Sequence, residues 1–244
     1  MTQYTLTEAP QRQFMLAEFE QRLVRAQTMM RALKLDAVLL TTETNVRYFS
    51  GYFTQFWQSP TRPWFLILPL TGKPIAVIPT IGVVGMSNTW VEDIRAWPSP
   101  FPEDDGVSLL SQTLADLPKR FGRLGMTLGR ETHLRMPQQQ VQSLYASNHF
   151  DLVDVSREVL HLRSLKSAAE INRVAHICGV TSNAFAELPN FARVGMTERE
   201  VVAAFRMELL RQGADHSPFI VSSSGPDGRL LYTSDAADEG LGLD

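Results

Sequence analysis

Residues 36–53 read DAVLLTTETNVRYFSGYF, and this stretch decides the fold class of the chain. Its first six residues form a short apolar run whose length predicts a buried strand. The polar and aromatic segment that follows, residues 42–63, has no clear periodicity and is predicted to be an irregular connection. The segment before the strand, residues 14–35, predicts a helix because apolar residues recur every three or four positions. Its apolar stripe comprises Phe19, Leu23, Ala26, Met30 and Leu33.

The segments after this stretch alternate between strand and helix patterns. Two apolar runs, WFLILP and PIAVIP, are joined by LTGK, and Gly72 in that linker predicts a hairpin turn. Helix patterns follow at 107–121, reaching Pro118 or just beyond, and at 137–148, and strand patterns at 123–129 and 150–155. This order predicts an α/β domain, residues 1–156, with a mixed and largely buried sheet that contains all three apolar runs.

A second domain is predicted over residues 157–229, where the chain becomes mainly helical. Ser167 with Glu170, and Thr197 with Glu200, have the spacing of two capping boxes, each of which marks the start of a helix. The segment SPFIVSSSG predicts a strand that enters a glycine turn. Two helices and one strand cannot close a core, so this domain is expected to be incomplete and to expose an apolar face at 168–186 and 198–211.

Composition excludes several classes of function. A net charge of −3 and a pI near 6 give no footprint for nucleic acid or for an anionic membrane. No apolar run approaches the roughly 20 residues of a membrane span, and the first residues lack the pattern of a signal peptide. One cysteine, Cys178, excludes a disulfide framework and a thiolate zinc site, which agrees with a cytoplasmic location. Its place on an apolar helix stripe predicts a buried side chain.

Four segments in order resemble the creatinase, prolidase and aminopeptidase P family, the two-domain "pita-bread" metallohydrolases. DAVLLTTETNVRYFSGYF resembles a strand and turn of the family's N-terminal domain. Residues 162–185, 195–214 and 217–228 are similar to the start of its catalytic domain. The resemblance covers about residues 14–229. It implies a creatinase-type N-terminal domain followed by the first part of a pita-bread α+β catalytic domain.

The same resemblance implies a hydrolase that binds two divalent metal ions, of manganese, cobalt or zinc, through two aspartates, a histidine and two glutamates. The positions of these ligands lie beyond the end of the resemblance, so no catalytic residue, metal ligand or cofactor is expected within this chain. The complete family member is expected to act on a peptide or small-molecule substrate and to form a homodimer.

Three residues are candidates for substrate binding. In creatinase-like relatives an arginine near the position of Arg62 binds a substrate carboxylate in the neighbouring subunit's active site, and a guanidinium suits that role because it offers a planar fork. The alternative is a surface arginine in a polar loop. Phe56 and Trp57 either form a wall of the same pocket or cover the sheet.

The end of the chain, LLYTSDAADEGLGLD, contains three carboxylates, at Asp235, Asp238 and Glu239. Metal-bridging carboxylates need adjacent strands that hold their oxygens around the ions, and this segment has no strand alternation. The string also resembles a translated sequencing adapter, and the family resemblance ends where the string begins. Residues 230–244 are therefore interpreted as a non-native tail that packs against nothing.

Two functional hypotheses follow from these observations. The first is a fragment of a dinuclear-metal hydrolase of the Xaa-Pro peptidase or creatinase type, inactive by itself because the metal ligands are absent. The second is a non-catalytic peptide-binding or dimerisation module of the same fold. The complete gene discriminates between them, because the downstream ligand set supports the enzyme and substituted ligands support the module.

Overall fold

A computed structural model describes residues 9–59, 62–129, 132, 134–147 and 150–223. The chain divides into two compact units, one of residues 12–166 and the other containing described residues 9–11 and 167–223. The proposed tail, with Asp235, Asp238 and Glu239, lies outside the described residues. The unit boundary follows helix Ser156–Ser164, which therefore belongs to the first unit, ten residues beyond the sequence-based boundary at 156.

The first unit is an α/β structure built on a six-stranded mixed sheet. Its strands are β1 (Ala37–Leu40), β2 (Phe65–Pro69), β3 (Ile75–Pro79), β4 (Asp93–Trp97), β5 (Arg123–Met126) and β6 (Asp151–Asp154). Its helices are α1 (Leu16–Leu33), α2 (Glu43–Ser50), α3 (Val83–Ser87), α4 (Val107–Ala115), α5 (Gln138–Ser147) and α6 (Ser156–Ser164), with short 3₁₀ turns at Gln55–Gln58 and Thr80–Gly82.

The strand order is β4-β3-β2-β1-β5-β6. Strand β2 is antiparallel to both β1 and β3, whereas β1, β5 and β6 run parallel, as do β3 and β4. The three apolar runs identified in the sequence are the adjacent central strands β1, β2 and β3, and every residue of these strands is buried. The predictions of a mixed, buried sheet and of a hairpin at Gly72, which has a φ of 94°, are confirmed.

The irregular connection predicted for residues 42–63 is wrong, because the structure has helix α2 there. This helix has only eight residues, and tertiary contacts stabilise it. The Tyr48 hydroxyl donates to the carbonyl of Leu162, 3.1 Å away, and the Trp90 indole donates to the carbonyl of Phe49, 2.8 Å away. Gly51 then ends the helix with a φ of 78°, and a side chain there would meet the Phe19 ring.

Strand β4 was not predicted from the sequence, because its residues are not a buried apolar run. It lies at one edge of the sheet and carries exposed charge, with Arg95 bonded to Asp93 and to Asp116 of the segment after α4. Charged side chains are common on edge strands, where they oppose pairing with other chains. The parallel pairing with β3 forms this strand, and that pairing cannot be read from a local pattern.

The second unit contains α7 (Ala168–Ala186), α8 (Leu188–Phe191) and α9 (Glu198–Arg211). Both predicted capping boxes are confirmed, with each hydroxyl accepting from a backbone N–H and each glutamate accepting in return. The mainly helical segment predicted from residue 157 begins with α6 and continues with α7 after a break at residues 165–167.

Residues 217–223 form no regular element, so the predicted strand SPFIVSSSG is not found in its described part. A strand requires a partner, and no other strand occurs in the described residues of this unit. Phe219 and Val221 remain exposed as a result, at 75% and 67%.

The core of the second unit is small, as the sequence predicted. Ala184, Phe205 and Leu209 are its buried members. The predicted exposed apolar face is confirmed on both helices, and it comprises Ile171, Val174, Ile177, Phe185, Met207 and Leu210. Cys178 lies beside this face and is exposed, so the prediction that it is buried is wrong: no described element covers that side of α7.

Candidate functional site

A cleft of about 1280 Å³ lies in the first unit, where the parallel strands β1, β5 and β6 end. Thr42, Thr127 and Ser156, each within two residues of the end of one strand, line it. The carboxyl ends of parallel strands are the common position of ligand sites in open α/β sheets, because the loops that leave the strands form a crevice there. This edge is therefore the candidate functional site.

The charged side chains that line the cleft are mainly cationic. Among the described residues, Arg135, Arg157 and Arg163 line it together with one carboxylate, that of Glu43. Arg163 donates to the Asn45 side-chain oxygen over 3.1 Å, which ties α6 to α2. Arg157 is exposed and makes no hydrogen bond or ion pair with another described residue. Four charged side chains with a surplus of positive charge give the cleft an attraction for anions.

Arg135 is the most constrained of these arginines. Its Nη2 donates to the carbonyl of Ser59, and its Cζ lies 4.9 Å from the centroid of the Trp57 ring, a cation–π distance. Burial lowers the pKa of this guanidinium, and the nearby Glu43 carboxylate opposes that shift. Arginine stays protonated in proteins, so Arg135 keeps its charge while it is partly removed from water.

The apolar part of the cleft is formed by the ring of Trp57 and by the side chains of Leu134, Met136, Val141, Val159 and Leu160. Trp57 is 7% exposed, and its ring lies 6.0 Å from the ring of Trp64. Its indole Nε1 is buried and has no hydrogen-bond partner among the described residues. The hydroxyls of Thr42 and Thr127 are in the same condition. Buried polar atoms are usually hydrogen-bonded, so such a group of unpartnered atoms beside one cleft is unusual.

The three candidates from the sequence lie in different surroundings. Trp57 is in the core and also lines the cleft, so it both covers the sheet and forms a wall of the site. Phe56 is half-buried against the core and does not line the cleft. Arg62 is half-exposed, with a φ of 62°, three residues before β2 and outside the cleft lining. The structure does not bring Arg62 together with Trp57 in this cleft.

Sequence reasoning missed Arg135, Arg157, Arg163 and Glu43. The signal that could have indicated them is their position in the chain, because the segments that follow the parallel strands β1, β5 and β6 all emerge at one edge of the sheet. The loop at Asp154 strengthens that edge, since its carboxylate accepts from the backbone of Leu128 and from Ser156. These hydrogen bonds, chiefly that of the Ser156 hydroxyl, lower the pKa of Asp154.

In the described ranges, no group of three or more His, Cys, Asp or Glu side chains is placed to hold a metal ion. The described residues thus do not fit a dinuclear metal centre, and we assign no catalytic step to them. No helix in the described part of the chain is both long and apolar enough to cross a membrane.

Residues 22–165 match the family model of the Creatinase/Prolidase N-terminal domain. The chain belongs to this family. The match contains every strand of the first unit and all the described residues that line the cleft. The creatinase/prolidase domain is thus the α/β unit described above.

Relatives of this creatinase/prolidase chain include peptidases that are longer than it is. It is 26% identical over 191 residues to an uncharacterized peptidase of Staphylococcus saprophyticus, covering 78% of this chain and 50% of the relative. It is 27% identical over 201 residues to an uncharacterized peptidase of Bacillus subtilis, covering 79% and 50%. The chain spans about half the length of the relatives it matches.

Solved structures show the same fold. The dipeptidase PepE from Mycobacterium ulcerans matches with a TM-score of 0.67 at 22% identity, over 86% of this chain and 53% of that one. A Xaa-Pro dipeptidase from Bacillus anthracis matches with a TM-score of 0.66 at 17% identity, over 82% and 51%. These matches extend past the N-terminal domain, since they cover more of the chain than residues 22–165 do.

Proposed function

We propose that this chain is the amino-terminal part of a dinuclear-metal hydrolase of the Xaa-Pro peptidase type. The observation that carries the proposal is the creatinase/prolidase N-terminal domain in a chain that spans about half the length of the peptidases it matches. The helical unit that begins at Ser167 supports it, because capped helices with an exposed apolar face need further structure to cover them.

The metal ions in such an enzyme supply an acidified water and polarise the carbonyl that it attacks. The residues of this chain bind and orient the substrate rather than perform the chemistry. Arg62, Phe56 and Trp57 lie on the loop between α2 and β2, which begins at the end of α2 and leads into the edge that holds the cleft. A rigid sheet edge suits this task because positioning requires groups that do not move.

The proposal predicts a difference between the complete protein and this chain. With manganese present, the complete protein is expected to release proline from glycyl-proline, whereas the 244-residue chain is expected to release none above background. Metal content after dialysis is measured on both proteins. Stoichiometric metal and dipeptide cleavage by the 244-residue chain would contradict the proposed absence of ligands.

Arg62 is predicted to hold the substrate carboxylate in the complete homodimeric enzyme. Arg62→Ala is expected to raise KM for glycyl-proline by about tenfold with little change in kcat, because a charge-assisted bond present in both ground and transition states is lost. A substrate with an amidated carboxyl end and the variant Arg199→Ala, at an exposed position of α9, serve as controls. An equal rise in KM for the amidated substrate shows that Arg62 does not bind the carboxylate.

A non-catalytic peptide-binding module is the second candidate function, and the cationic cleft favours it. A site with guanidinium groups beside an aromatic wall can hold a peptide without any metal. If the complete protein binds peptides that end in proline but cleaves none of them with any of manganese, cobalt or zinc, this second function is supported and the hydrolase is excluded.

A further inference from the structure

We propose that the cleft at the carboxyl ends of β1, β5 and β6 binds a small organic carboxylate that carries an apolar group. The inference rests on the charges, walls and position of the cleft, and it holds whether or not the complete protein is a hydrolase. It concerns residues that sequence reasoning did not select, namely Arg135 and Arg157.

The charges favour an anion. The described residues of the lining include three guanidinium groups and one carboxylate. Arg163 is bonded to Asn45 and Arg135 to the Ser59 carbonyl, so both groups are held in place. Arg157 is exposed and, within the described part of the chain, makes no ion pair or hydrogen bond. A planar guanidinium that is not engaged elsewhere can form a bidentate pair with a carboxylate.

The walls favour an organic anion over an inorganic one. Trp57 and five aliphatic or thioether side chains of the described residues border the same space as the arginines. Burial of a ligand's apolar surface against these side chains contributes favourable binding free energy, and sulfate and chloride have no apolar surface to bury. A ligand with a carboxylate at one end and an aliphatic group at the other can therefore use both sides of the cleft.

Hydrogen bonds among the elements around the cleft hold its cationic and apolar sides in place. Helix α2 is held by Tyr48 and Trp90, α6 is held by the bond from Arg163 to Asn45, and the β5 and β6 loops are joined through Asp154. Groups fixed by the scaffold lose little conformational entropy when a ligand binds. The site is thus largely formed before the ligand arrives.

Calorimetric titration of the 244-residue chain tests the proposal, with N-acetyl-L-leucine as the probe and N-acetyl-L-leucinamide as its uncharged match. The carboxylate is expected to bind saturably, and the amide to bind about tenfold more weakly or not at all, because it lacks the charge-assisted bonds. Equal binding of both probes, or of neither, would overturn the proposal. Because no turnover is measured, the result is independent of the proposed hydrolase activity.

Variants locate the site. Arg157→Gln is expected to weaken binding of the carboxylate about tenfold and to leave the weak binding of the amide unchanged. Arg31→Gln, at an exposed position in the last turn of α1, removes the same charge away from the cleft and is expected to have no effect. Arg157 is exposed and makes no described hydrogen bond, so its replacement is expected to preserve the fold, which thermal unfolding checks. Wild-type affinity in Arg157→Gln, or an equal loss in Arg31→Gln, would show that the cleft does not hold the carboxylate.

Discussion

Replacing Asp36 with alanine is expected to lower the free energy of unfolding of the first unit by about 4 kcal/mol, because four partly buried backbone donors lose their shared acceptor together. Asp36 is 3% exposed and immediately precedes β1. Its two carboxylate oxygens accept from the backbone N–H groups of residues 120–123 over 2.6 to 3.2 Å. This contact fixes the start of β5 against the start of β1, and the position of the cleft at the far end of both strands depends on it.

Urea unfolding followed by circular dichroism measures this loss as a lower midpoint at an unchanged m-value. Asp36→Asn keeps one carbonyl oxygen as an acceptor and is expected to lose about half as much. Asp151→Ala is the matched control, because Asp151 is exposed at the start of β6 and its carboxylate has no described partner. A decrease of less than about 1 kcal/mol in Asp36→Ala would show that water replaces the carboxylate.

Replacing Arg22 with alanine is the second change expected to have a large effect, with a loss of about 4 kcal/mol. Arg22 is 1% exposed on α1, yet it carries a charge. Its Cζ lies 4.3 Å from the Phe14 ring centroid and 4.1 Å from that of Tyr48, and its Nη1 donates to the Tyr48 carbonyl over 2.7 Å. Its Nη2 lies 3.0 Å from Glu18. Alanine leaves a cavity and an unpaired, largely buried carboxylate.

Arg22→Lys distinguishes the shape of the side chain from its charge. Lysine keeps the positive charge but cannot stack its ammonium between two rings or form the same fork of hydrogen bonds, so a loss of about 2 kcal/mol is expected. Arg31→Ala, on an exposed turn of the same helix, is expected to change stability by less than about 0.5 kcal/mol. Equal stability of Arg22→Lys and the wild type would mean that charge is sufficient and that stacking contributes little.

Part of the candidate site could be predicted from the sequence. The aromatic loop before β2 was selected because exposed aromatic residues in loops often bind ligands, and Trp57 does line the cleft. Its arginine neighbours were not selected. Arg135 stands 78 positions after Trp57 in the sequence, yet its guanidinium lies over that ring. No local spacing records such a contact, because it results from the order in which the strands pair.

The sequence by itself determined the features whose physical cause is local. Apolar runs of strand length predicted β1, β2 and β3, since a run without polar residues must be buried on both faces. Thr197 and Glu200 predicted the start of α9, because a capping box involves residues three positions apart. The four ordered segments that resemble the family also needed no coordinates.

Only the tertiary structure decided the features that depend on distant partners. Helix α2 was not predicted because contacts with Leu162 and Trp90, both distant in the sequence, stabilise it. Strand β4 was not predicted because its pairing with β3, and not its own charged sequence, makes it a strand. Cys178 was assigned to the interior by a helical stripe, but a stripe shows which side of a helix is apolar and not whether anything covers it. The cleft also depends on distant partners, because the parallel arrangement of β1, β5 and β6 brings three separate loops to one edge of the sheet.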